Sequence, residues 1–308
     1  MRKPPLLRSG DRIAITAPAS PPPDLAQVEA GVRYWERNGF RVEVGPSVYR
    51  SWGYLAGADQ ERARELERFF LDPEVRAIVA VRGGYGSLRL LRYLDWDALA
   101  AHPKLLIGYS DLTALQWALW ARLGLVSISG PMLASDWADP DPDTEAWFWD
   151  LIGGAPELEI RDEGLIPWRS GEVAGILLGG TLSLIVRLLG TPFWPRTAGT
   201  IWFLEDVGEP PYRIDGMLAQ LLLSGHWEQI AGVLWGSFTE SPLVSGPTFS
   251  MREVLEQYSV FVSGPVIFGL LYGHLRRRRS LPIGVPARVR VGPGGELWVR
   301  ITSPVETR

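Results

Sequence analysis

Three observations predict an α/β protein built from two units. Short apolar runs, continuous rather than alternating, recur through the first half of the chain. Each is followed by a stretch of helical periodicity, the pattern of strands covered on both faces in a parallel, doubly wound sheet. The pattern then breaks. Asp136, Asp139, Asp141, Asp143 and prolines at 140, 142, 156 and 167 mark a linker holding a short aromatic helix around Trp147. Beyond it the chain is richer in strands and Gly/Pro turns, predicting a second α/β unit with a barrel-like or sandwiched sheet. The boundaries are residues 1–136, a linker over 137–170, and 171–308.

Taken in order, Arg12 to Ser20 reads as a buried strand running into a loop. Residues 24–38 carry Leu25, Val28, Val32 and Trp35 at helical spacing, with Gly39 as the stop. Arg41 to Val44 is the second strand. Asp59 is expected to cap a helix holding Ala63, Leu66 and Phe70. Val75 to Val81 is apolar almost throughout and enters Arg82-Gly83-Gly84-Tyr85-Gly86-Ser87, after which Leu88, Leu91 and Leu94 predict a helix. Lys104 to Gly108 is a strand, Leu112, Leu115 and Leu119 line a helix face, and Val126 to Ile128 is another strand. In the second unit, strands are expected at 173–178, 200–204, 231–235, 266–268, 287–291 and 297–301. Helices are expected at 182–189, 212–223 and around Val254.

Composition narrows the function classes. With 308 residues, 46% hydrophobic, 21% charged and a net charge of −4, the chain carries no electrostatic footprint for nucleic acid or an anionic membrane. No apolar run is long enough to span a bilayer. Met1 to Arg8 is basic with a two-residue apolar segment, which predicts no signal peptide and a cytoplasmic location. There is no cysteine, hence no disulfide, thiolate nucleophile or Cys-based metal site. The three histidines, His102, His226 and His274, are far apart in sequence, so no histidine-rich metal centre is expected. No metal and no organic cofactor are predicted. Two lysines and 29 arginines carry the positive charge.

The stretch that carries chemistry is Gly108-Tyr109-Ser110-Asp111-Leu112-Thr113. Strand, tight turn and helix in succession lift a serine hydroxyl to the carboxyl end of a sheet, as in a nucleophile elbow, although Leu112 stands where G-x-S-x-G has its second glycine. The plainer reading is that Ser110 or Asp111 is a helix N-cap. Gly83 and Gly84 sit between strand and helix without the pattern of a dinucleotide or P-loop. They are either a tight turn or backbone that can approach a substrate oxygen. Thr200 to Leu204 is a buried strand ending in Glu205, Asp206 and Glu209; alternation separates the faces of Glu205 and Asp206. His274 ends an apolar stretch beside Gly273, whereas His102 and His226 occupy surface-like positions. The order Ser110, Glu205, His274 is the nucleophile–acid–base order of α/β-hydrolases, with acid and base on a different unit from the serine. A site between the two units is therefore expected.

At these residues the chain resembles the LD-carboxypeptidases, serine peptidase family S66, which also holds the microcin C self-immunity peptidases. The matching stretches include Ala17-Pro18-Ala19-Ser20, Gly53 to Gly57, Arg82 to Gly86, Gly108 to Thr113, Gly130 to Leu133, Gly179 to Leu182, Leu204 to Glu209, Pro211 to Asp215 and Gly273-His274. Thr181 departs from the pattern, which usually has asparagine there. The resemblance implies an N-terminal domain like the class I glutamine amidotransferases and a C-terminal domain of swivelling β-barrel type. It implies a Ser110–Glu205–His274 triad, with oxyanion donors at the backbone of Asp111 and of Gly83 or Gly84. Arg82 and Arg213 are candidates for the substrate carboxylate. The implied reaction removes the terminal D-alanine from murein tetrapeptides, the partner being a small peptide or muropeptide and the assembly a homodimer. Hydrolysis of peptidyl or aminoacyl-nucleotide amides, or silent binding of wall fragments, are the alternatives.

Overall fold

The apolar runs of the first half line up side by side. In the structure, a computed structural model that describes residues 1–243, 245–292 and 296–306, the first half alternates strands and helices. The elements are β1 (Arg12–Thr16), α1 (Leu25–Arg37), β2 (Arg41–Val44), α2 (Asp59–Leu71), β3 (Val75–Ala80), α3 (Ser87–Leu90), α4 (Trp96–Ala100), β4 (Leu105–Gly108), α5 (Leu112–Leu123) and β5 (Ser127–Ser129). There follow α6 (Pro142–Ile152), β6 (Glu157–Ile160), β7 (Ile166–Arg169), β8 (Gly171–Thr181), α7 (Leu182–Val186), β9 (Ile201–Val207) and α8 (Pro211–Leu223). The chain ends with β10 (Gly232–Thr239), α9 (Met251–Ser259), β11 (Val266–Phe268), β12 (Leu281–Ile283), β13 (Val285–Val291) and β14 (Leu297–Thr302).

Two sheets result. The smaller runs β12-β5-β4-β3-β1-β2, parallel except for β12. The order in which strands are added reverses between β1 and β3, and in open α/β sheets ligands bind outside the carboxyl ends of the strands at such a switch point. The loops leaving β1, β3 and β4 carry Ser20, Gly83 and Ser110 to that edge. The larger sheet runs β6-β14-β13-β8-β9-β10-β11-β7, parallel from β8 to β11 and antiparallel at both flanks.

One core cluster spans both sheets, and a second lies between the smaller sheet and α1 and α6. From Leu112 to Leu119 every residue of α5 is buried, so this helix is covered on all sides rather than along one stripe, because α7 and β8 of the larger sheet close over it. Trp117 Nε1 donates to the Gly179 carbonyl at 2.8 Å. Tyr272 and Ser129 hydroxyls meet at 2.6 Å across the same boundary. The strand β12 pairs with β5, and the chain then enters β13 beside β8. The segment just after His274 is thereby hydrogen-bonded to the sheet that carries Ser110.

Several local expectations change. Residues 137–170 hold α6 as expected, but β6 and β7 form the two edges of the larger sheet, so this stretch is not only a linker. Pro167 lies within edge strand β7, where one missing ladder donor is tolerated. Asp59 does not cap α2; Ala58 occupies that position, and the Asp59 carboxylate pairs with Arg62 and Arg89. The helix expected through Leu94 stops at Leu90, and Asp95 begins α4 by accepting from the N–H groups of Asp97 and Ala98.

Candidate active site

Ser110 follows β4 by two residues and has φ +62°, left-handed for a residue with a side chain. Such strain persists only where the surroundings hold it, and the turn it makes presents Oγ at the sheet edge. Asp111 does occupy the N-cap position of α5, but it makes no side-chain capping bond to the helix. The buried Asp111 carboxylate instead accepts from Ser87 N–H at 2.7 Å, tying the elbow to the glycine loop. Burial pushes its pKa up against these donors. Ser20 Oγ accepts from Tyr85 N–H at 3.1 Å and holds the same loop. A side chain on Gly83 would stand 3.0 Å from Ser110 Oγ and 3.4 Å from Asp111 N. The missing Cβ therefore leaves a space bounded by the serine hydroxyl and a helix-start amide.

Glu205 lies near the carboxyl end of β9, fully buried. Its Oε2 is 2.7 Å from His274 Nδ1, and His274 Nε2 is 3.0 Å from Ser110 Oγ. Thr181 donates its hydroxyl to Glu205 Oε1 at 2.5 Å, and the Thr181 N–H donates to Thr113 Oγ1 at 3.1 Å. The carboxylate is thus held on both oxygens. Gly273 has φ +121°, and a Cβ there would fall 2.9 Å from Glu205 Oε2; only glycine lets the histidine loop pass this close. Burial disfavours the charged form of His274, but the hydrogen bond and charge of Glu205 outweigh it and raise its pKa above the ordinary imidazole value.

The neighbouring acids point elsewhere. Asp206, on the opposite face of β9, accepts from Ser183 N–H at 2.7 Å, and burial followed by the Glu205 charge pushes its pKa up to about 6. Glu209 pairs with Arg213 at 2.8 Å on the exposed start of α8, and Arg213 does not line the serine cleft. That cleft, about 290 Å³, is bounded by Arg82, Gly83, Gly84, Ser110, Met132 and His274. Arg82 has no acidic partner among the described residues. A second cavity of about 300 Å³ on the other side of His274 is lined by Tyr109, Asp136, Thr144, Arg276 and Arg278.

His274 lies in the loop between β11 and β12, not at a strand end. His102 and His226 are half-buried rather than on the surface; His226 packs against Trp194 with ring centroids 4.7 Å apart, and burial lowers its pKa. Sequence reasoning missed Ser20 and Arg278. The run of four arginines after His274, facing an aspartate-rich segment, was the available signal for the second. Among the described residues no group of three or more His, Asp and Glu side chains could hold a metal ion, and no helix is long and apolar enough to cross a membrane.

Fold and site together define a class, a two-sheet α/β protein with serine, imidazole and carboxylate hydrogen-bonded in series as in serine hydrolases. The chain belongs to the LD-carboxypeptidase family. The N-terminal-domain model of that family matches residues 13–130 and the C-terminal-domain model residues 174–289. The chain is 37% identical over 293 residues to the protein named "Probable murein peptide carboxypeptidase" of Bacillus subtilis, covering 92% of this chain and 90% of that one. It is 35% identical to the murein tetrapeptide carboxypeptidase of Pseudomonas aeruginosa, covering 90% of this chain and 92% of that one. The crystal structure of muramoyltetrapeptide carboxypeptidase from Oxalobacter formigenes superimposes with a TM-score of 0.85 at 31% identity, covering 96% of this chain and all of that one.

Proposed function

We propose that this protein is a serine LD-carboxypeptidase that removes the C-terminal D-alanine from murein tetrapeptides. The observation that carries the reading is the unbroken series Ser110 Oγ, His274, Glu205, at 3.0 and 2.7 Å, opening into a cleft lined by Arg82, which has no acidic partner among the described residues. His274 Nε2 takes the Ser110 proton as Oγ attacks the scissile carbonyl carbon. The oxyanion falls between the N–H of Asp111 and that of Gly83 or Gly84, none of which has another acceptor among the described residues. Collapse breaks the C–N bond, and His274 gives its proton to the departing amine. Water then attacks the acyl ester carbonyl and gives its proton to His274, which passes it to Ser110 Oγ as the ester C–O bond breaks, restoring the free enzyme. Glu205 holds the tautomer with a proton on Nδ1 and stabilises the imidazolium.

Arg82 is proposed to pair the terminal carboxylate, because it lines the same cleft as Ser110 and has no competing acid among the described residues, whereas Arg213 is engaged by Glu209. Under the same proposal the protein works in the cytoplasm as a homodimer on released wall fragments, with no metal or organic cofactor. Its N-terminal unit is taken as class I glutamine amidotransferase-like and its C-terminal unit as the swivelling barrel type. The support for these finer points is the sequence resemblance. The test is to incubate the purified protein with murein tetrapeptide and follow D-alanine by mass spectrometry. Ser110→Ala and His274→Ala should each lose about 10⁶-fold in kcat with the fold intact. Wild-type-like turnover by either variant overturns the triad, and faster cleavage of an aminoacyl-nucleotide amide overturns the substrate assignment.

A further inference from the structure

We propose that Arg278 is a positioning residue for His274, and that its buried pair with Asp136 seats the His274 loop on the Ser110 side of the molecule. The inference rests on the reading of His274 as the base for Ser110. The loop joining β11 to β12 has no regular structure of its own, yet it must hold an imidazole within hydrogen-bond reach of a hydroxyl on the other sheet. Its four consecutive arginines each meet a different aspartate. Arg276 pairs with Asp139 at 2.9 Å, Arg277 with Asp143 at 3.0 Å, Arg278 with Asp136, and Arg279 with Asp162 at 2.5 Å. Asp136, Asp139 and Asp143 lie between β5 and the first turn of α6, on the Ser110 side in sequence, whereas Asp162 lies between β6 and β7 of the larger sheet.

The four pairs are not equivalent. Those of Arg276 and Arg277 have side chains 59–80% exposed, where solvent screening leaves little net stabilisation. The Arg278–Asp136 pair has side chains 6% and 14% exposed. The Arg278 guanidinium also lies 4.2 Å over the Tyr109 ring and donates from Nη1 to the Leu275 carbonyl at 2.5 Å. Tyr109 precedes Ser110 and packs edge-on against the His274 imidazole, centroids 5.1 Å apart; Leu275 follows His274. One buried guanidinium therefore joins the neighbour of the nucleophile to the neighbour of the base. Asp136 is itself fixed by Met132 N–H at 2.8 Å. Thr144 of α6 completes the seat by accepting from Arg278 N–H at 2.9 Å and donating to the Arg276 carbonyl.

A displacement of about 1 Å between reacting groups is enough to lower a rate about 100-fold. The test compares wild type, Arg278→Met, Asp136→Asn, Arg278→Lys and the double variant Arg276→Gln/Arg277→Gln. Two readings are taken on each, kcat and KM on murein tetrapeptide and the rate at which an alkyl fluorophosphonate labels Ser110, the Oγ–P bond forming as fluoride leaves. Arg278→Met and Asp136→Asn should lose about 100-fold in both kcat and labelling, with KM kept within about threefold. Arg278→Lys, which keeps the charge but not the planar fork, should recover at least about tenfold of that loss. The double variant should stay within about twofold of wild type. Labelling and kcat within about threefold of wild type in Arg278→Met and Asp136→Asn, even with a lowered melting temperature, overturn the proposal. If Arg278→Met does not fold, the same readings on Asp136→Asn and Arg278→Lys decide. A wild-type protein that does not label at all refutes the serine–histidine reading beneath it, whereas wild-type labelling with unchanged variants refutes the positioning role alone.

Discussion

Gly83→Ala is a small change with a sharply separable outcome. The added methyl would lie 2.9 Å from Ser110 Cβ, 3.0 Å from Ser110 Oγ and 3.4 Å from the Asp111 nitrogen. Ordinary contact begins near 3.4 Å, so the serine or the loop must give way by about half an ångström, and the methyl occupies space assigned to the oxyanion. Gly83 is not among the residues at positive φ, so alanine fits its backbone. Loss of one oxyanion donor costs about 10²–10³ in rate, or about 2.7–4 kcal/mol. Crowding of a packed site costs about 1–3 kcal/mol of stability. Gly83→Ala should therefore lower kcat/KM about 100- to 1000-fold, measured by D-alanine release, while the protein still folds, with a melting temperature lower by only several degrees. Gly84→Ala is the contrast: its φ is +108° and its Cβ would collide with Ser20 Oγ, so it should lose more stability. A Gly83→Ala enzyme within about threefold of wild-type kcat/KM would refute the reasoning.

Other perturbations separate the remaining roles. Because the His274 pKa is raised, the acidic limb of kcat/KM should have its midpoint above about 6.5 and rise with pH as the imidazole loses its proton. The stability that His274 gains from Glu205 is fully present below about 6.5 and lost as pH climbs through the folded pKa. Glu205→Gln should shift that limb to lower pH and cut kcat by up to about 10⁴, which a pH–rate profile reads directly. Arg82→Gln should weaken kcat/KM on the free-acid tetrapeptide by about 1–3 kcal/mol while leaving its C-terminal amide unchanged; equal effects on both would remove Arg82 from carboxylate binding. Thr181→Val leaves the buried Glu205 Oε1 without its donor and should cost about 1–3 kcal/mol in a denaturant titration, together with a fall in kcat that Thr181→Asn restores.

What the sequence disclosed is what local chemistry dictates. The elbow at Ser110 was legible because strand, turn and helix occupy a dozen consecutive residues. Glu205 separated from Asp206 by the two-residue alternation of a strand, and the structure points them to opposite sides. His274 emerged by elimination among three histidines. What stayed hidden was non-local. Strand β12 pairs with β5 about 150 residues earlier, and β6 and β7 find partners more than 90 residues away. No periodicity within those short runs encodes such pairings. The full burial of α5 was also illegible, because a one-sided leucine stripe does not reveal that a second sheet covers the other face. The four arginines after His274 and the aspartates of 136–162 read as two separate charge runs until the fold brings them into register.

The central claim is acyl transfer through Ser110, and trapping the acyl-enzyme tests it most directly. Enzyme in excess is mixed with murein tetrapeptide, quenched in acid at successive times, digested and examined by mass spectrometry. The account predicts free D-alanine together with a tripeptidyl ester on the peptide containing Ser110, forming and then decaying, and neither species with Ser110→Ala. Full release of D-alanine by Ser110→Ala, or an ester on any other residue, would contradict it.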